Sequence, residues 1–132
     1  MAASAPMARA ELEELVLRFT DAFNRDDLDA VMAFFADDAT YDEFNGRQSR
    51  GREASRDAFV PQFRGDFGRI RFHTEDLFAD PIAGRALIRW RCTLERDGVT
   101  RGWRGLDVLH VQDGLITEKH TYAKSQVPLL EP

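Results

Sequence analysis

The sequence predicts an α+β domain in which three N-terminal helices lie on one face of a bent antiparallel sheet. Apolar residues recur every three or four positions over most of residues 9–63, a spacing that is typical of amphipathic helices. From residue 70 onward they alternate with polar residues instead, as strands do. Two Asp-Gly pairs, at 97–98 and 113–114, are strong signals for hairpins. Helices followed by consecutive hairpins favour the α+β class.

Three helices are predicted in the first half of the chain. The first covers residues 9–24, and the second is a short helix that Asp27 can cap and that continues to Phe35. The third covers residues 52–63. The apolar stripe of the first helix consists of Leu12, Leu15, Val16, Phe19, Ala22 and Phe23.

The strands are predicted mainly in the second half. A short early strand over residues 39–44 is followed by a loop over residues 45–51. Glycines at 65 and 68 mark a turn that leads into the main sheet. Its strands are predicted over residues 70–78, 86–94, 103–111 and 115–123.

The chain of 132 residues has the length of one domain. We expect that domain to cover residues 9–126. Residues 1–8 are small or polar for the most part and read as a flexible leader, and residues 127–132 form a short tail with two prolines.

Charge and composition argue against several classes of partner. The formal net charge is −5 and the basic residues are scattered, so we expect no nucleic-acid binding, which requires clustered positive charge. No apolar run approaches the roughly 18 residues of a membrane span, so we expect no membrane partner. The chain contains ten phenylalanines, which suit a core or an apolar cavity. The N-terminal residues lack the apolar segment of a secretory signal, and a cytoplasmic protein is expected.

Cysteine and histidine patterns predict neither a disulfide nor a metal site. Cys92 is the only cysteine, and its apolar neighbours suggest an inert core position. The three histidines, His73, His110 and His120, show no HxH or HxxxH spacing. No nucleophile elbow or phosphate-binding glycine loop is present either, so we expect no cofactor.

Two stretches of the chain resemble the nuclear transport factor 2-like superfamily, which includes ketosteroid isomerases and SnoaL-type polyketide cyclases. They are FTDAFNRDDLDAVMAFFADDATYDEF at residues 19–44 and GWRGLDVLHVQDGLITEKHTYAK at residues 102–124. The second stretch fits the SnoaL-like branch, and its Lys119 and Tyr122 resemble those of a group of small bacterial members. The resemblance implies a cone-shaped sheet wrapped around the helices, an internal pocket for a small hydrophobic ligand, and a homodimer formed through the outer face of the sheet.

The same resemblance implies a pair of catalytic carboxyls. Alignment on the ADDAT segment places Glu43 at the position of the ketosteroid isomerase base, and alignment on the Leu-Asp dipeptide places Asp107 at the position of a protonated oxyanion donor. The second donor of those enzymes is a tyrosine, and Phe19 stands at that position here. Steroid isomerisation is therefore not expected of this chain.

The residues themselves allow two interpretations of each carboxyl. Asp107 shares a strand face with Trp103 and Leu109, so burial could favour its protonated form, which can donate a hydrogen bond. Alternatively, Asp107 pairs with one of the chain's 18 basic residues. Glu43 faces the same way as Tyr41 and could act as a general base, or it could be a solvated carboxylate at a strand end.

Several further side chains are predicted to bind the ligand. His120 and Tyr122 share a parity on the last strand and could face the cavity, although His120 could instead pair with Glu118 at the surface. Trp90 and Trp103 lie on neighbouring strands and could line the pocket wall, or belong to the core or a dimer contact. The predicted ligand-binding set is Phe19, Tyr41, Trp90, Trp103, Leu109, His120 and Tyr122.

Three functions fit this sequence. The first is an enzyme that isomerises, cyclises or dehydrates a small apolar substrate by carboxylate acid/base chemistry without a cofactor. The second is a module that binds such a molecule without converting it. The third is a structural dimer whose cavity is filled by its own phenylalanine side chains.

Overall fold

The computed structural model describes residues 7–132, and the predicted leader falls largely outside the described residues. The elements in chain order are α1 (Arg9–Asn24), α2 (Leu28–Met32), β1 (Phe35–Asp42), β2 (Gln48–Arg50), α3 (Arg52–Phe63), β3 (Arg69–Asp80), β4 (Arg85–Arg96), β5 (Val99–Gln112) and β6 (Leu115–Ala123). The predicted α+β class, with helices preceding a curved sheet, is confirmed. Within residues 7–132, no helix is both long enough and apolar enough to cross a membrane.

The six strands form one open sheet in the order β2-β1-β6-β5-β4-β3. All neighbouring pairs are antiparallel except β1 and β6, which run parallel, so the sheet is mixed rather than purely antiparallel. This parallel pair brings the early strand beside the last one. Residues near 42 and residues near 120 therefore become neighbours, although 78 positions separate Asp42 from His120.

The region between α2 and α3 differs from the sequence prediction. The second helix ends at Met32, and Phe35 already begins β1, where it lies opposite Ile116 of β6. The Ile116 N–H also donates to the Phe34 carbonyl at 2.7 Å. Pairing with β6 thus draws residues 35–38 into the sheet, although their sequence has little strand propensity. Residues 48–50 of the predicted loop pair with β1 as β2.

The core lies between the helices and the concave face of the sheet. α1 packs on β3 and α3 packs on β1. Phenylalanine rings provide much of the packing: Phe19 makes edge contacts with Phe23, Phe34 and Phe35 at centroid distances of 5.1–5.6 Å. Such contacts add to the free energy gained from area burial, by about 1 kcal/mol per pair.

Candidate functional site

Asp107 lies on the concave face of β5 and is almost fully buried. Three side chains donate hydrogen bonds to its carboxylate. Lys119 Nζ reaches Oδ1 at 3.0 Å, Thr121 Oγ1 donates to the same oxygen, and Trp90 Nε1 reaches Oδ2 at 3.2 Å. A carboxylate surrounded only by donors is suited to the ionised state. Of the two interpretations drawn from the sequence, the structure shows the pairing with a basic residue.

Lys119 reaches the concave face because β6 contains a bulge. Val111 lies opposite Ile116, whereas the adjacent His110 lies opposite Glu118, so Thr117 is an extra residue in the ladder. An extra residue shifts the alternation of all side chains that follow. Lys119 therefore points into the domain together with Ile116, and a simple two-residue period could not have predicted it.

Aromatic rings surround the Lys119 ammonium. Its Nζ lies 4.6 Å from the centroid of the Tyr41 ring, 5.7 Å from that of Phe59 and 6.0 Å from that of Phe23. Cations are attracted to ring faces at such distances, which partly offsets the loss of water around a buried charge. The Tyr41 ring is itself held in place by stacking on Phe59 at 4.5 Å.

The charge state of Lys119 follows from these neighbours. Burial lowers the pKa of Lys119, but Asp107, Tyr41 and Glu43 together outweigh burial and raise the pKa above its ordinary value. The pKa of the Tyr41 hydroxyl is also raised, chiefly by burial, with Lys119 opposing the rise. At neutral pH the cluster therefore contains an ammonium and a neutral phenol side by side.

Glu43 differs from Asp107 because its hydrogen-bonding capacity is not satisfied. It follows β1 in the tight connection to β2, where its N–H donates to the Arg47 carbonyl at 2.9 Å. Its Oε2 atom is buried and has no hydrogen-bond partner within residues 7–132. Burial raises the pKa of Glu43, and the positive charges of Arg47 and Lys119 limit the rise.

Trp90 approaches β5 at Gly105, which lies directly opposite it in the ladder. A Cβ atom at residue 105 would lie 2.6 Å from the indole ring and 2.3 Å from the Tyr122 carbonyl oxygen. A glycine is therefore required here for close approach of the ring. The indole, which also contacts the edge of Phe72 at 5.1 Å, is thereby positioned to donate to Asp107.

Phe19 and Leu109 are fully enclosed in the core, each with at most 2% of its surface exposed. Trp103 lies on the same face of β5 as Asp107, but nearer the end of the strand, and is 36% exposed. Trp90 donates to Asp107, and Leu109 lies opposite Lys119 in the ladder. Phe19 packs on other phenylalanines, and Trp103 lies opposite Cys92.

His120 and Tyr122 were predicted to face the cavity, but the structure places them on the opposite, convex face of β6. His120 lies opposite Val108, and Tyr122 lies opposite Leu106. The Tyr122 side chain is 58% exposed. The bulge at Thr117 is the physical reason, because it breaks the alternation that linked these residues to Ile116. His120 does contact Glu118, as the alternative interpretation predicted.

Lys119 and Thr121 are site residues that were not predicted from the sequence. Lys119 was noted only as part of the family resemblance, because a lysine on a strand is normally assigned to the solvent face. Lys119 could have been identified from Asp107 on the adjacent strand. Asp107 lies among apolar residues, and a buried carboxylate requires a basic partner.

A surface groove of about 440 Å³ lies elsewhere on the molecule. Its lining includes Leu77, Phe78, Leu87 and Val108, together with Arg9 and Glu13 of α1. None of the predicted catalytic or ligand-binding residues contributes to it. The groove and the Asp107 cluster are therefore separate features.

Solved structures with the same architecture are numerous. A provisionally assigned polyketide cyclase from Xanthomonas campestris pv. campestris is 26% identical, with a TM-score of 0.74 over 88% of this chain and 92% of its own. An NTF2-like protein of unknown function from Mesorhizobium loti is 25% identical, with a TM-score of 0.75 over 95% and 100% of the two chains. These similarities agree with the predicted cone-shaped fold. No curated protein sequence matches the chain.

A family model of the SnoaL-like domain matches residues 16–119, a span that includes Phe19, Glu43, Asp107 and Lys119. The match covers most of the chain, all of the first region on which the sequence resemblance rested and residues 102–119 of the second. This protein therefore belongs to the SnoaL-like domain family, within the NTF2-like superfamily.

Proposed function

We propose that the chain binds a small, largely apolar molecule with a carbonyl or enol oxygen and moves a proton on it without a cofactor. The observation that carries the proposal is the buried, unpartnered Oε2 atom of Glu43. A buried polar atom without a partner is destabilising, and such atoms in folded proteins call for an explanation, which can be a catalytic role. A raised pKa also makes the Glu43 carboxylate a stronger base.

The neighbouring cation supports the same chemistry. If Glu43 removes a proton next to a carbonyl group, the electron pair of the broken C–H bond moves onto the oxygen. Lys119 has three N–H donors and uses two of them, on Asp107 and Thr121, so the third is left for that oxygen. A fixed charge in a buried site stabilises such an oxyanion strongly. In isomerisation the proton returns from Glu43 to another carbon of the enolate. In cyclisation the enolate carbon bonds to a second carbonyl carbon of the substrate, and the alkoxide that this forms takes the proton from Glu43. In dehydration a β-hydroxyl group leaves and takes the same proton, so that water is released.

In this proposal Asp107 is a positioning residue rather than the oxyanion donor that the resemblance implied. It receives three hydrogen bonds and holds the Lys119 ammonium in place. Lys119, with the Tyr41 hydroxyl beside it, then takes the place of the tyrosine that is absent at Phe19. The provisional polyketide cyclase assignment of the Xanthomonas protein is compatible with enol-forming chemistry of this kind.

The test compares ligand binding and turnover in the wild type, Glu43→Gln and Glu14→Gln. Glu14 is exposed on α1, so its substitution is a matched control. The panel consists of small phenols, enones, steroids and polyketide-like aromatics, first in a thermal-shift screen and then in turnover assays on the ligands that bind. We expect turnover to fall at least 100-fold in Glu43→Gln alone, because general-base catalysis contributes factors of about 10²–10⁴.

The second candidate function is a binding module without catalysis. It is favoured by the ion pairing of Asp107, which leaves only Glu43 free for proton transfer. A ligand that binds equally well to the wild type and Glu43→Gln, and that neither protein converts, would establish this function and refute the catalytic proposal. Absence of binding by any class in the panel would contradict both.

A homodimer through the convex face is part of the proposal. Leu106 and Val108 are only half-buried there, and apolar side chains on an exposed sheet face commonly mark contacts. Val108→Asp should convert a dimer into a monomer on size exclusion. An unchanged elution volume for this variant would contradict a dimer through this face.

A further inference from the structure

A second cluster of polar side chains lies on the convex face, across three adjacent strands. His110 of β5 lies directly opposite Glu118 of β6, and Asp42 of β1 lies beside His120 of β6. The two imidazole rings are 5.3 Å apart. The proposed acid/base chemistry does not use these residues.

Every ring nitrogen that faces this cluster meets a carboxylate oxygen. His110 Nδ1 is 2.6 Å from Glu118 Oε2, and His120 Nε2 is 3.2 Å from Glu118 Oε1. On the other side of the His120 ring, Nδ1 is 3.1 Å from Asp42 Oδ2. Glu118 thus joins the two histidines, and Asp42 supports one of them from behind.

His120 lies between two carboxylates, and a neutral imidazole has too few N–H groups to donate to both. An ionised carboxylate can only accept hydrogen bonds, and a neutral imidazole has a single N–H. If His120 donates its Nδ1–H to Asp42, its Nε2 presents a lone pair to Glu118 Oε1, and two acceptors then face each other at 3.2 Å. A cation bound between these two atoms would make the contact favourable.

We propose that His110, Glu118 and His120 bind a divalent transition-metal ion of the zinc type. The ligand atoms of these three residues all lie within 4.8 Å of one another. Ligands held about 2.0–2.2 Å from a tetrahedral zinc ion are roughly 3.4 Å apart, so small side-chain rotations suffice to complete the site. Two imidazoles favour zinc and similar metals over calcium or magnesium, which require oxygen ligands.

Asp42 would act in the second coordination shell. Metal-binding histidines usually donate their other ring N–H to a carboxylate, which fixes the tautomer and the ring orientation. Asp42 does this for His120, because it faces Nδ1 and leaves Nε2 for the metal. The sequence did not predict the site, since its ligands come from two strands and only Glu118 and His120 are close to each other in the sequence.

The site is open to solvent. The side chains of His110, His120 and Glu118 are 22%, 24% and 42% exposed. In the single chain an ion can therefore reach them from water; in the proposed dimer the site would lie within or beside the contact, because Val108 is opposite His120. Three protein ligands also leave a fourth position for water or for an exogenous ligand, as in catalytic rather than structural zinc sites.

The experiment is a titration of the metal-free, tag-free protein with Zn²⁺ by calorimetry, and with Co²⁺ by visible absorption. We expect one ion per chain with micromolar or tighter affinity, a Co²⁺ spectrum of tetrahedral intensity, and a higher melting temperature with Zn²⁺. His120→Ala and Glu118→Gln should each abolish saturable binding, and Asp42→Asn should weaken it by about 10- to 100-fold.

His73→Ala is the matched control, because His73 is the remaining histidine and bonds Thr93 on a different part of the sheet. It should bind the metal like the wild type. Circular dichroism of each variant establishes that it is folded. Absence of saturable binding to the wild type would overturn the proposal and assign the cluster to a hydrogen-bond network with a protonated histidine. Equal loss of binding in His73→Ala and His120→Ala would overturn it as well.

Discussion

Replacement of Lys119 by methionine tests whether the buried ion pair holds the site together. Methionine retains most of the apolar volume of the lysine stem but removes the ammonium, so Asp107 loses its only ionic partner in the described structure. The side chains of both residues are at most 9% exposed, and water therefore cannot replace the lost contact. We expect the variant to fold but to be clearly less stable.

The magnitude follows from the groups that remain. Removing one partner of a buried ion pair typically lowers the free energy of unfolding by about 3–5 kcal/mol, since a buried charge is left uncompensated. Trp90 and Thr121 still donate to Asp107, so the lower end of this range, about 3 kcal/mol, is expected. For a domain of this size that loss corresponds to a decrease in melting temperature of roughly 10–15 °C.

The assay is urea unfolding followed by tryptophan fluorescence, applied to Lys119→Met, Asp107→Asn and the double variant. Residues in direct contact should show a coupling energy, here about 2 kcal/mol, so that the double variant loses less than the sum of the two single losses. The chain contains only one other lysine, Lys124, which is exposed, and Lys124→Met is the matched control. It should change stability by no more than about 0.5 kcal/mol.

A loss below about 1 kcal/mol in Lys119→Met, or additive losses in the double variant, would refute the buried pair as described. Either result would mean that Lys119 is solvated. The role of Lys119 in oxyanion stabilisation would then fail too, because that role depends on a fixed ammonium in a buried site.

Three further predictions concern single residues. Burial, with the negative charge of Asp107, raises the pKa of the Cys92 thiol to about 12. The folded protein should therefore not react with a disulfide reagent at pH 8. Rapid labelling of Cys92 without denaturant would contradict this prediction. Burial raises the pKa of Glu43 above its unfolded value, so the ionised form opposes folding. Glu43→Gln should therefore have a higher melting temperature than the wild type at pH 7. This difference should vanish below about pH 4, where Glu43 is protonated in both the folded and the unfolded protein. Identical melting temperatures of the two proteins at all pH values would disprove the prediction. Gly105→Ala should lower stability by about 1–3 kcal/mol because the added Cβ meets the Trp90 ring and a backbone oxygen, and an unchanged urea midpoint would refute that contact.

Most of the fold could be predicted from local sequence patterns. The limits of α1 and α3 agree with the predicted ones, because their apolar residues follow the helical period. The limits of the last strand agree as well, because the Asp113-Gly114 turn marks its beginning. The prediction is less accurate at residues 33–38 and 48–50. Residues 35–38 belong to a strand because β6 supplies a partner from a distant part of the sequence, whereas residues 48–50 pair with residues 40–42 of β1 nearby in the chain.

The candidate site could be predicted only in part. Alternation placed Asp107 and Trp90 on the buried face, and the family resemblance selected Glu43. The predicted orientation of His120 and Tyr122 was incorrect, because the bulge at Thr117 reverses the faces of the residues that follow it.

The sequence by itself thus determined the α+β class, the hairpin order and the burial of Asp107, because each depends on periodicity and turn residues that act over a few positions. Only the tertiary structure decided that Lys119 is the partner of Asp107, that Glu43 retains an unpaired oxygen, and that His110, Glu118 and His120 meet on the convex face. The physical reason is that these contacts depend on strand register and on one extra residue in a ladder. The extra residue lies within the β5–β6 hairpin and interrupts its alternation, and the β1–β6 register is fixed by pairing between segments that are far apart along the chain.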